Sequence, residues 1–192
     1  MKIGLFFGTF NPIHAGHMVI AGYMTEFTDL EQVWFVVTPQ NPMKQNQSML
    51  ADYHRLTLVR IATEENRKFK VSNVEFSLPK PSYTFDTLTH LSEKHPEHNF
   101  ALIIGSDNLD IFEQWKNYES IFEKYFLYVY PRHGSAGGKL ISHPQVKMTD
   151  APVMQISATF IRDAIKNKKD IRYMLTAPVY KYIEEMHFYE KD

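Results

Sequence analysis

The feature that most constrains this chain is the alternation of short apolar runs with segments of helical periodicity. Runs at residues 2–7, 32–38, 69–76, 100–104 and 126–130 predict strands, with a short last strand at 146–149. Helices are predicted at residues 16–27, 52–67, 84–95, 157–167 and 178–187, with one or two more within 109–124. This order favours an α/β fold, in which a Rossmann-like, doubly wound parallel sheet carries helices on both faces.

Length and composition fit one domain. A chain of 192 residues, with 44% hydrophobic and 22% charged residues, is enough for a single core and shows no internal repeat. We therefore expect one domain over residues 1–192, with a helical C-terminal part at about 157–190. The chain has no cysteine, which excludes disulfides, thiolate zinc sites and a cysteine nucleophile.

Charge and hydropathy argue against two classes of partner. The 21 basic and 22 acidic residues give a net charge of −1, whereas duplex nucleic-acid binders usually carry a basic excess. The apolar run at 100–104 is far shorter than the ~20 residues of a membrane helix. The apolar stretch after Lys2 is too short for a signal peptide. We expect a cytoplasmic protein that binds neither nucleic acid nor membranes.

Ligands of such sheets bind beyond the carboxyl ends of the strands, so the strand-to-helix turns are the places to search. The first turn runs from Gly8 to His17 and enters a helix whose free N–H groups suit a phosphate. Gly8 permits a sharp turn, and Gly16 would let a bound group approach the helix start. His14 and His17 add donors beside that start. A surface histidine pair, a metal-ligand pair and a purely structural turn are the alternatives.

Two later turns carry weaker signals. Asp107, just past the strand that ends near Gly105, is placed to accept hydrogen bonds from a ribose, although a helix N-cap is the commoner role. Ser157 is placed to cap a helix, and Thr159 and Arg162 lie three residues apart on its face. A hydroxyl and a guanidinium there favour a second anion site, with a solvated arginine as the alternative.

Three further features are ambiguous on their own. Trp115 has the ring to stack on a planar ligand, but most tryptophans belong to a core. Tyr83 and Thr84 stand at a predicted helix start. Lys44 lies on a loop beyond the second strand, whose end faces the same cleft.

Taken together, the motifs resemble a known group of enzymes. Gly-x-Phe-x-Pro-x-His-x-Gly-His, beginning at Gly8, and Ile-Ser-x-Thr-x-Ile-Arg, ending at Arg162, are similar to the signatures of the HxGH nucleotidyltransferase superfamily. The Ser-Tyr-Thr-Phe-Asp-Thr-Leu segment at 82–88, Gly-Ser-Asp at 105–107 and the later Trp115 resemble the bacterial nicotinate mononucleotide adenylyltransferases. The resemblance runs from residue 3 to about residue 189.

That resemblance implies adenylyl transfer from ATP to nicotinate mononucleotide, giving nicotinate adenine dinucleotide and pyrophosphate. It implies that phosphates are held by His14, His17, Lys44, Arg162, Ser157 and Thr159, with Gly8, Thr9 and Phe10 lining the junction where the two phosphates meet. Gly16 remains a candidate for close approach of the bound nucleotide to the helix start. Gly105 and Asp107 would hold the adenosine ribose, and Tyr83, Thr84 and Trp115 the pyridine ring. Mg²⁺ would accompany ATP on the triphosphate, with no protein metal site.

Several positions depart from the family pattern. Asn41 and Met43 stand where Pro and His are usual, which affects the loop of Lys44, and Arg132 is shifted from its usual place. The alternatives are a phosphopantetheine adenylyltransferase, a glycerol-phosphate cytidylyltransferase, or a non-catalytic nucleotide sensor that keeps the cleft.

Overall fold

The strands form where valine, isoleucine and aromatic residues cluster. The computed structural model describes residues 1–39 and 49–190. Its strands are β1 Lys2–Gly8, β2 Gln32–Val37, β3 Phe69–Ser72, β4 Asn99–Gly105, β5 Phe126–Tyr130 and β6 Val146–Met148. They pair in parallel in the order β3-β2-β1-β4-β5-β6. The chain therefore builds one half of the sheet, crosses back past β1, and builds the other half, which leaves a crevice at the carboxyl ends of β1 and β4.

Helices cover both faces of this sheet. They are α1 Ala15–Phe27, α2 Asp52–Thr63, α3 Thr84–Lys94, α4 Ser106–Leu109, α5 Tyr118–Lys124, α6 Ala158–Lys166 and α7 Ala177–Glu185. Helices α1, α2, α6 and α7 contribute to one core cluster, and α3, α4 and α5 to the other. Phe6 points into the first cluster and Leu5 into the second, as alternating strand residues must. The predicted fold, one α/β domain with a doubly wound parallel sheet, is confirmed.

The largest differences from the predicted element boundaries lie in three regions. The strand predicted at 69–76 ends at Ser72, and Val74–Phe76 forms a 3₁₀ turn. Glu75 in that turn is buried and binds side chains of the next segment, which diverts the chain from the sheet. The helix predicted at 52–67 stops at Thr63, and the region 109–124 divides into the end of α4, a 3₁₀ turn at Phe112–Gln114 and α5.

Among the described residues, none of the helices is both long and apolar enough to cross a bilayer.

Candidate active site

A cleft with two joined lobes lies at the carboxyl ends of β1 and β4. The larger lobe has a volume of about 460 Å³ and the smaller one about 270 Å³. The two lobes share six lining residues: Phe6, Phe7, Gly8, Asp107, Asn108 and Tyr130. The shared wall means that two ligands, one in each lobe, would meet beside Gly8.

The smaller lobe is built around the start of α1. The backbone N–H of His14 donates to His17 Nδ1 at 3.2 Å, and the N–H of His17 donates to the His14 carbonyl at 2.9 Å. The two imidazole rings stack with centroids 3.8 Å apart. His14 and His17 are thus locked together at the helix N-terminus, where the helix dipole favours an anion.

His14 is only 6% exposed, and its surroundings determine its charge. Burial, and then the positive charge of Arg132, lower the pKa of His14 to about 4. The imidazole is therefore neutral near pH 7 while the cleft is free of ligand. Its Nδ1 is buried and has no hydrogen-bond partner in the part of the chain that the structure describes.

Two glycines leave room for rings in this lobe. A Cβ on Gly8 would lie 2.9 Å from the ring of Phe10, and one on Gly16 would lie 3.1 Å from the imidazole of His14. Gly16 therefore accommodates the His14 ring, and not only a ligand as the sequence suggested. Phe10 has a left-handed φ of 45° and is 2% exposed, so its ring packs in the core behind the lobe. Thr9 lines the lobe beside it.

The start of α6 closes the smaller lobe from the other side. Ser157 caps the helix by accepting the N–H of Phe160 at 3.1 Å. Arg162 Nη1 donates to the Asn11 carbonyl at 2.8 Å, and Nη2 donates to Thr159 Oγ1 at 3.2 Å. These bonds hold the guanidinium against the turn that carries His14, with further N–H groups left for an anion.

Asp107 stands on the wall common to both lobes, and Arg132 faces it. Arg132 Nε lies 3.7 Å from Asp107 Oδ2, and the backbone N–H of Arg132 donates to Ser106 Oγ at 2.9 Å. A Cβ on Gly105 would meet Asp107 Oδ1 and would lie 2.8 Å from Arg132 Cγ. The structure therefore brings Arg132 into the site, although its shifted position in the sequence had given it no role.

The larger lobe has a mixed apolar and polar lining. Tyr83, Thr84 and Trp115 line it, as does Gly105 at its junction with the smaller lobe. Trp115 is half-buried, and its ring packs on Phe112 with centroids 5.0 Å apart. Trp115 is therefore part of the core and part of the pocket wall, so both sequence interpretations apply to it.

Lys116 adds a positive charge at the rim of the larger lobe. Its Nζ lies 4.4 Å from the centroid of the Tyr83 ring and 2.9 Å from Asp86 Oδ2. The negative charge that Asp86 brings to the start of α3 is thereby balanced. The sequence analysis assigned Lys116 no role, because a single exposed lysine after a tryptophan has no distinguishing pattern.

Glu75 is a buried carboxylate at the base of the larger lobe. It is 1% exposed, and it accepts hydrogen bonds from Ser82 Oγ at 3.1 Å and Thr87 Oγ1 at 2.7 Å. Burial raises the pKa of Glu75, and hydrogen bonds from Thr87, Thr38 and Ser82 partly oppose that rise. Glu75 thereby ties the 3₁₀ turn to β2 and α3 and fixes the segment that carries Tyr83.

Two more residues that the sequence did not reveal support the first turn from behind. Arg55 is fully buried and donates to the carbonyls of Thr9 and Thr38, which join the ends of β1 and β2. Tyr189 donates to Asn11 Oδ1 at 2.9 Å, and burial raises the pKa of Tyr189. The only sequence signal for the role of Arg55 was its position on the otherwise apolar, buried side of α2.

The donor set of the smaller lobe suits a metal ion that arrives on a phosphate chain. Two histidines and two arginines line it, and the lining contains a single carboxylate, Asp107, which Arg132 already faces. Mg²⁺ prefers oxygen ligands and retains several waters. Among the described residues, the lobe therefore fits Mg²⁺ held by a triphosphate and water, not by a cage of carboxylates.

The structure brings the predicted site residues into this one cleft, with the exception of Lys44, which lies outside the described residues. The smaller lobe is lined by Gly8, Thr9, Phe10, His14, Gly16, His17, Asp107, Ser157, Thr159 and Arg162. Gly8, Tyr83, Thr84, Gly105, Asp107 and Trp115 line the larger lobe.

Comparison with known proteins gives concordant results. A model of the cytidylyltransferase-like family matches residues 5–164. A probable nicotinate-nucleotide adenylyltransferase of Cytophaga hutchinsonii is 53% identical over 98% of each chain. One of the same name from Flavobacterium psychrophilum is 51% identical over 100% of each chain.

Solved structures share the fold at lower identity. The nicotinic acid mononucleotide adenylyltransferase of Plasmodium falciparum, complexed with NaAD, has a TM-score of 0.84 at 19% identity, covering 100% of this chain and 98% of that one. A putative nicotinate-nucleotide adenylyltransferase of Vibrio parahaemolyticus has a TM-score of 0.74 at 21% identity, covering 100% and 96%.

Proposed function

This chain belongs to the nicotinate-nucleotide adenylyltransferases of the cytidylyltransferase-like family, and from that premise we propose a reaction and a role for each lobe. The chain transfers the adenylyl group of ATP to nicotinate mononucleotide. An oxygen of the mononucleotide 5′-phosphate attacks the α-phosphorus of ATP. The bond from that phosphorus to the β-phosphate oxygen breaks, pyrophosphate leaves, and nicotinate adenine dinucleotide forms.

The observation that carries this proposal is the cleft itself. A smaller, cationic lobe and a larger lobe with aromatic walls meet at Gly8. A triphosphate in the first and a pyridine mononucleotide in the second would bring the two reacting phosphates to that shared wall. The protein then needs only to align two anions and stabilise charge in the transition state, and neither task requires a protein nucleophile.

In the smaller lobe we assign the phosphates to the helix starts. His14 is neutral before ATP binds, which spares the free site the repulsion between an imidazolium and Arg132. His14 and His17 donate to the phosphate oxygens, and Ser157, Thr159 and Arg162 hold the departing pyrophosphate. Lys44, on its loop, is a further candidate for the same phosphates.

At the junction and in the larger lobe the roles concern recognition. Gly105 and Asp107 hold the adenosine ribose, and Gly8, Thr9, Phe10 and Gly16 form the backbone around the reacting phosphates. Tyr83, Thr84 and Trp115 surround the pyridine ring. Mg²⁺ bound to the triphosphate would neutralise part of its charge. We also propose that the protein acts in the cytoplasm.

The experiment is a panel of phosphorylated acceptors, with pyrophosphate release as the readout. Purified protein, ATP and Mg²⁺ are combined with nicotinate mononucleotide, its nicotinamide counterpart or phosphopantetheine, and CTP with glycerol phosphate forms a separate arm. We expect the highest kcat/KM for nicotinate mononucleotide. Highest activity with another acceptor would support a different nucleotidyltransferase, and binding of ATP without any turnover would support a nucleotide sensor.

A further inference from the structure

A second cluster of chemically active side chains lies at the opposite edge of the sheet. His95, Glu97 and His98 occupy the loop between α3 and β4, at the amino end of β4. One candidate ligand atom from each lies within 4.8 Å of the other two. Since the cleft lies at the carboxyl ends of the strands, this cluster is remote from it and has no part in the proposed reaction.

Two distances within the cluster are close to those between neighbouring ligands of a tetrahedral ion. Glu97 Oε1 lies 3.3 Å from His98 Nε2 and 3.6 Å from His95 Nδ1. Zinc bonds of 2.0–2.1 Å to nitrogen, at tetrahedral angles, separate neighbouring ligand atoms by about 3.3–3.4 Å. His98 Nδ1 is buried, so Nε2 is the nitrogen that this ring can offer to a ligand.

The two rings are held in a suitable orientation. Their planes differ by 9° and their centroids are 5.8 Å apart, which is too far for face-to-face contact. Two imidazoles bound to one zinc ion at a tetrahedral angle have centroids separated by about 5.2 Å, so a small inward movement of the two rings would place both nitrogens on one ion. Trp34 meets both rings at near right angles, at 5.4 Å from His95 and 5.9 Å from His98. The indole therefore positions both imidazoles and shields one side of the cluster from water.

We propose that His95, Glu97 and His98 bind a Zn²⁺ ion. Two imidazoles and a carboxylate supply three ligands, and water takes the fourth position. The ion joins the end of α3 to the start of β4, across a loop whose Glu97 carbonyl also accepts the amino group of Met1 at 3.5 Å. Its role is to stabilise this edge of the domain.

The test is zinc titration of chelator-treated protein in competition with a chromogenic chelator. We expect one ion per chain in the wild type, and a dissociation constant raised at least about 10-fold in His95→Gln and His98→Gln. Zinc should raise the melting temperature of the wild type and leave that of these variants unchanged. Melting curves without zinc establish that both variants fold.

Two controls separate this site from others. His187→Asn removes an exposed histidine that pairs with Glu190 at 3.0 Å, and asparagine tolerates the left-handed φ of 54° at this position. It should bind zinc as the wild type does. A variant with both His14→Gln and His17→Gln should also keep the ion. Zinc affinity that survives His95→Gln and His98→Gln, or that disappears with the cleft histidines, would overturn the proposal, as would the absence of binding.

A spectroscopic readout locates the ion beside Trp34. The chain has two tryptophans, so Trp115→Phe leaves Trp34 as the only one. Co²⁺, which takes the same ligands, should quench Trp34 fluorescence in this variant with a 1:1 end point. The same titration in Trp115→Phe with His98→Gln should require at least about 10-fold more Co²⁺. Quenching that is equal in both proteins would contradict the assignment.

Discussion

The smaller lobe takes most of its lining from two short stretches, residues 6–20 and 154–162, whereas the larger lobe combines segments spread between residues 6 and 130. In the smaller lobe, the starts of α1 and α6 present N–H groups. Within each of the two stretches, the local turn sets the spacing of the side chains. In the larger lobe, the shape depends on buried contacts such as those of Glu75. The smaller lobe is thus encoded largely by local sequence, whereas the larger lobe needs distant segments to pack.

If this difference reflects two binding tasks, substitutions in the two lobes should change different kinetic parameters. Variants of the smaller lobe should alter turnover and the KM for ATP. Variants of the larger lobe should alter the KM for the mononucleotide or the choice of acceptor.

The largest effect is expected for His17→Ala. Loss of one donor to charge that grows in the transition state typically lowers kcat by about 10²–10³-fold. His17 also accepts the N–H of His14, so its removal should lower the melting temperature by roughly 2–4 °C. Steady-state kinetics and thermal melting measure the two effects separately. Near-normal kcat in a folded variant would remove His17 from the mechanism.

Arg162→Lys is expected to lower kcat/KM for ATP by about 10–100-fold, the range for a hydrogen bond to a charged group. A lysine lacks the planar fork by which two separate nitrogens of Arg162 reach Asn11 and Thr159, and its three N–H groups all leave from one nitrogen. An ATP titration at saturating mononucleotide provides the measurement. Lys166→Arg, the reverse exchange near the end of α6, is the control. Wild-type behaviour of Arg162→Lys would refute the proposal that the guanidinium of Arg162 holds the departing pyrophosphate.

Glu75→Gln tests how the larger lobe is held. The substitution should loosen the segment that carries Tyr83 and so raise the KM for the mononucleotide. A loss of about 1.4 kcal/mol, the size of one hydrogen bond, corresponds to an increase of about tenfold. The KM for ATP should stay unchanged. Equal changes in both constants would show that Glu75 does not act on one lobe alone.

The raised pKa of Glu75 also makes a prediction about stability and pH. The carboxyl group of Glu75 keeps its proton to a higher pH in the folded state than in the unfolded state, where its pKa is about 4.3. The stabilising contribution is therefore complete below about pH 4 and is lost as pH rises through the folded pKa. The free energy of unfolding of the wild type minus that of Glu75→Gln should thus fall as pH rises from 4. Urea denaturation over that range measures it, and a difference that grows with pH would contradict the burial effect.

The smallest effect is expected for Lys116→Met, which keeps the chain length and removes the charge. The wild type should prefer the acid mononucleotide over the amide, because a carboxylate accepts charge-assisted hydrogen bonds from N–H groups at the start of α3. Exposed charge pairs contribute about 0.2–1 kcal/mol, so this preference should fall by up to about fivefold. The ratio of kcat/KM values for the two acceptors, at low and high salt, measures it. An unchanged ratio at low salt would exclude Lys116 from acceptor recognition.

The sequence alone determined the fold class and most of the residues that line the smaller lobe. Strand and helix periodicities differ, so the alternation of elements was visible without a structure, and it predicted the parallel sheet and its functional edge. Gly8, His14, Gly16 and His17 lie within one turn, and Ser157, Thr159 and Arg162 within another. Local geometry therefore fixes their relative positions.

Only the tertiary structure decided the rest. The side-chain partners of Glu75 and Tyr189, and the Thr38 carbonyl that Arg55 binds, are linked to them by no spacing rule. Of the side-chain contacts that Arg55 makes with described residues, only its ion pair with Asp52 follows helical spacing. Whether Trp115 is core or pocket depended on what packs against it, and the answer is both. The same holds for His95 and His98, whose shared orientation depends on Trp34 from another strand. Sequence periodicity indicates which side of a helix or strand is buried, but it does not indicate which distant side chains pack against that side.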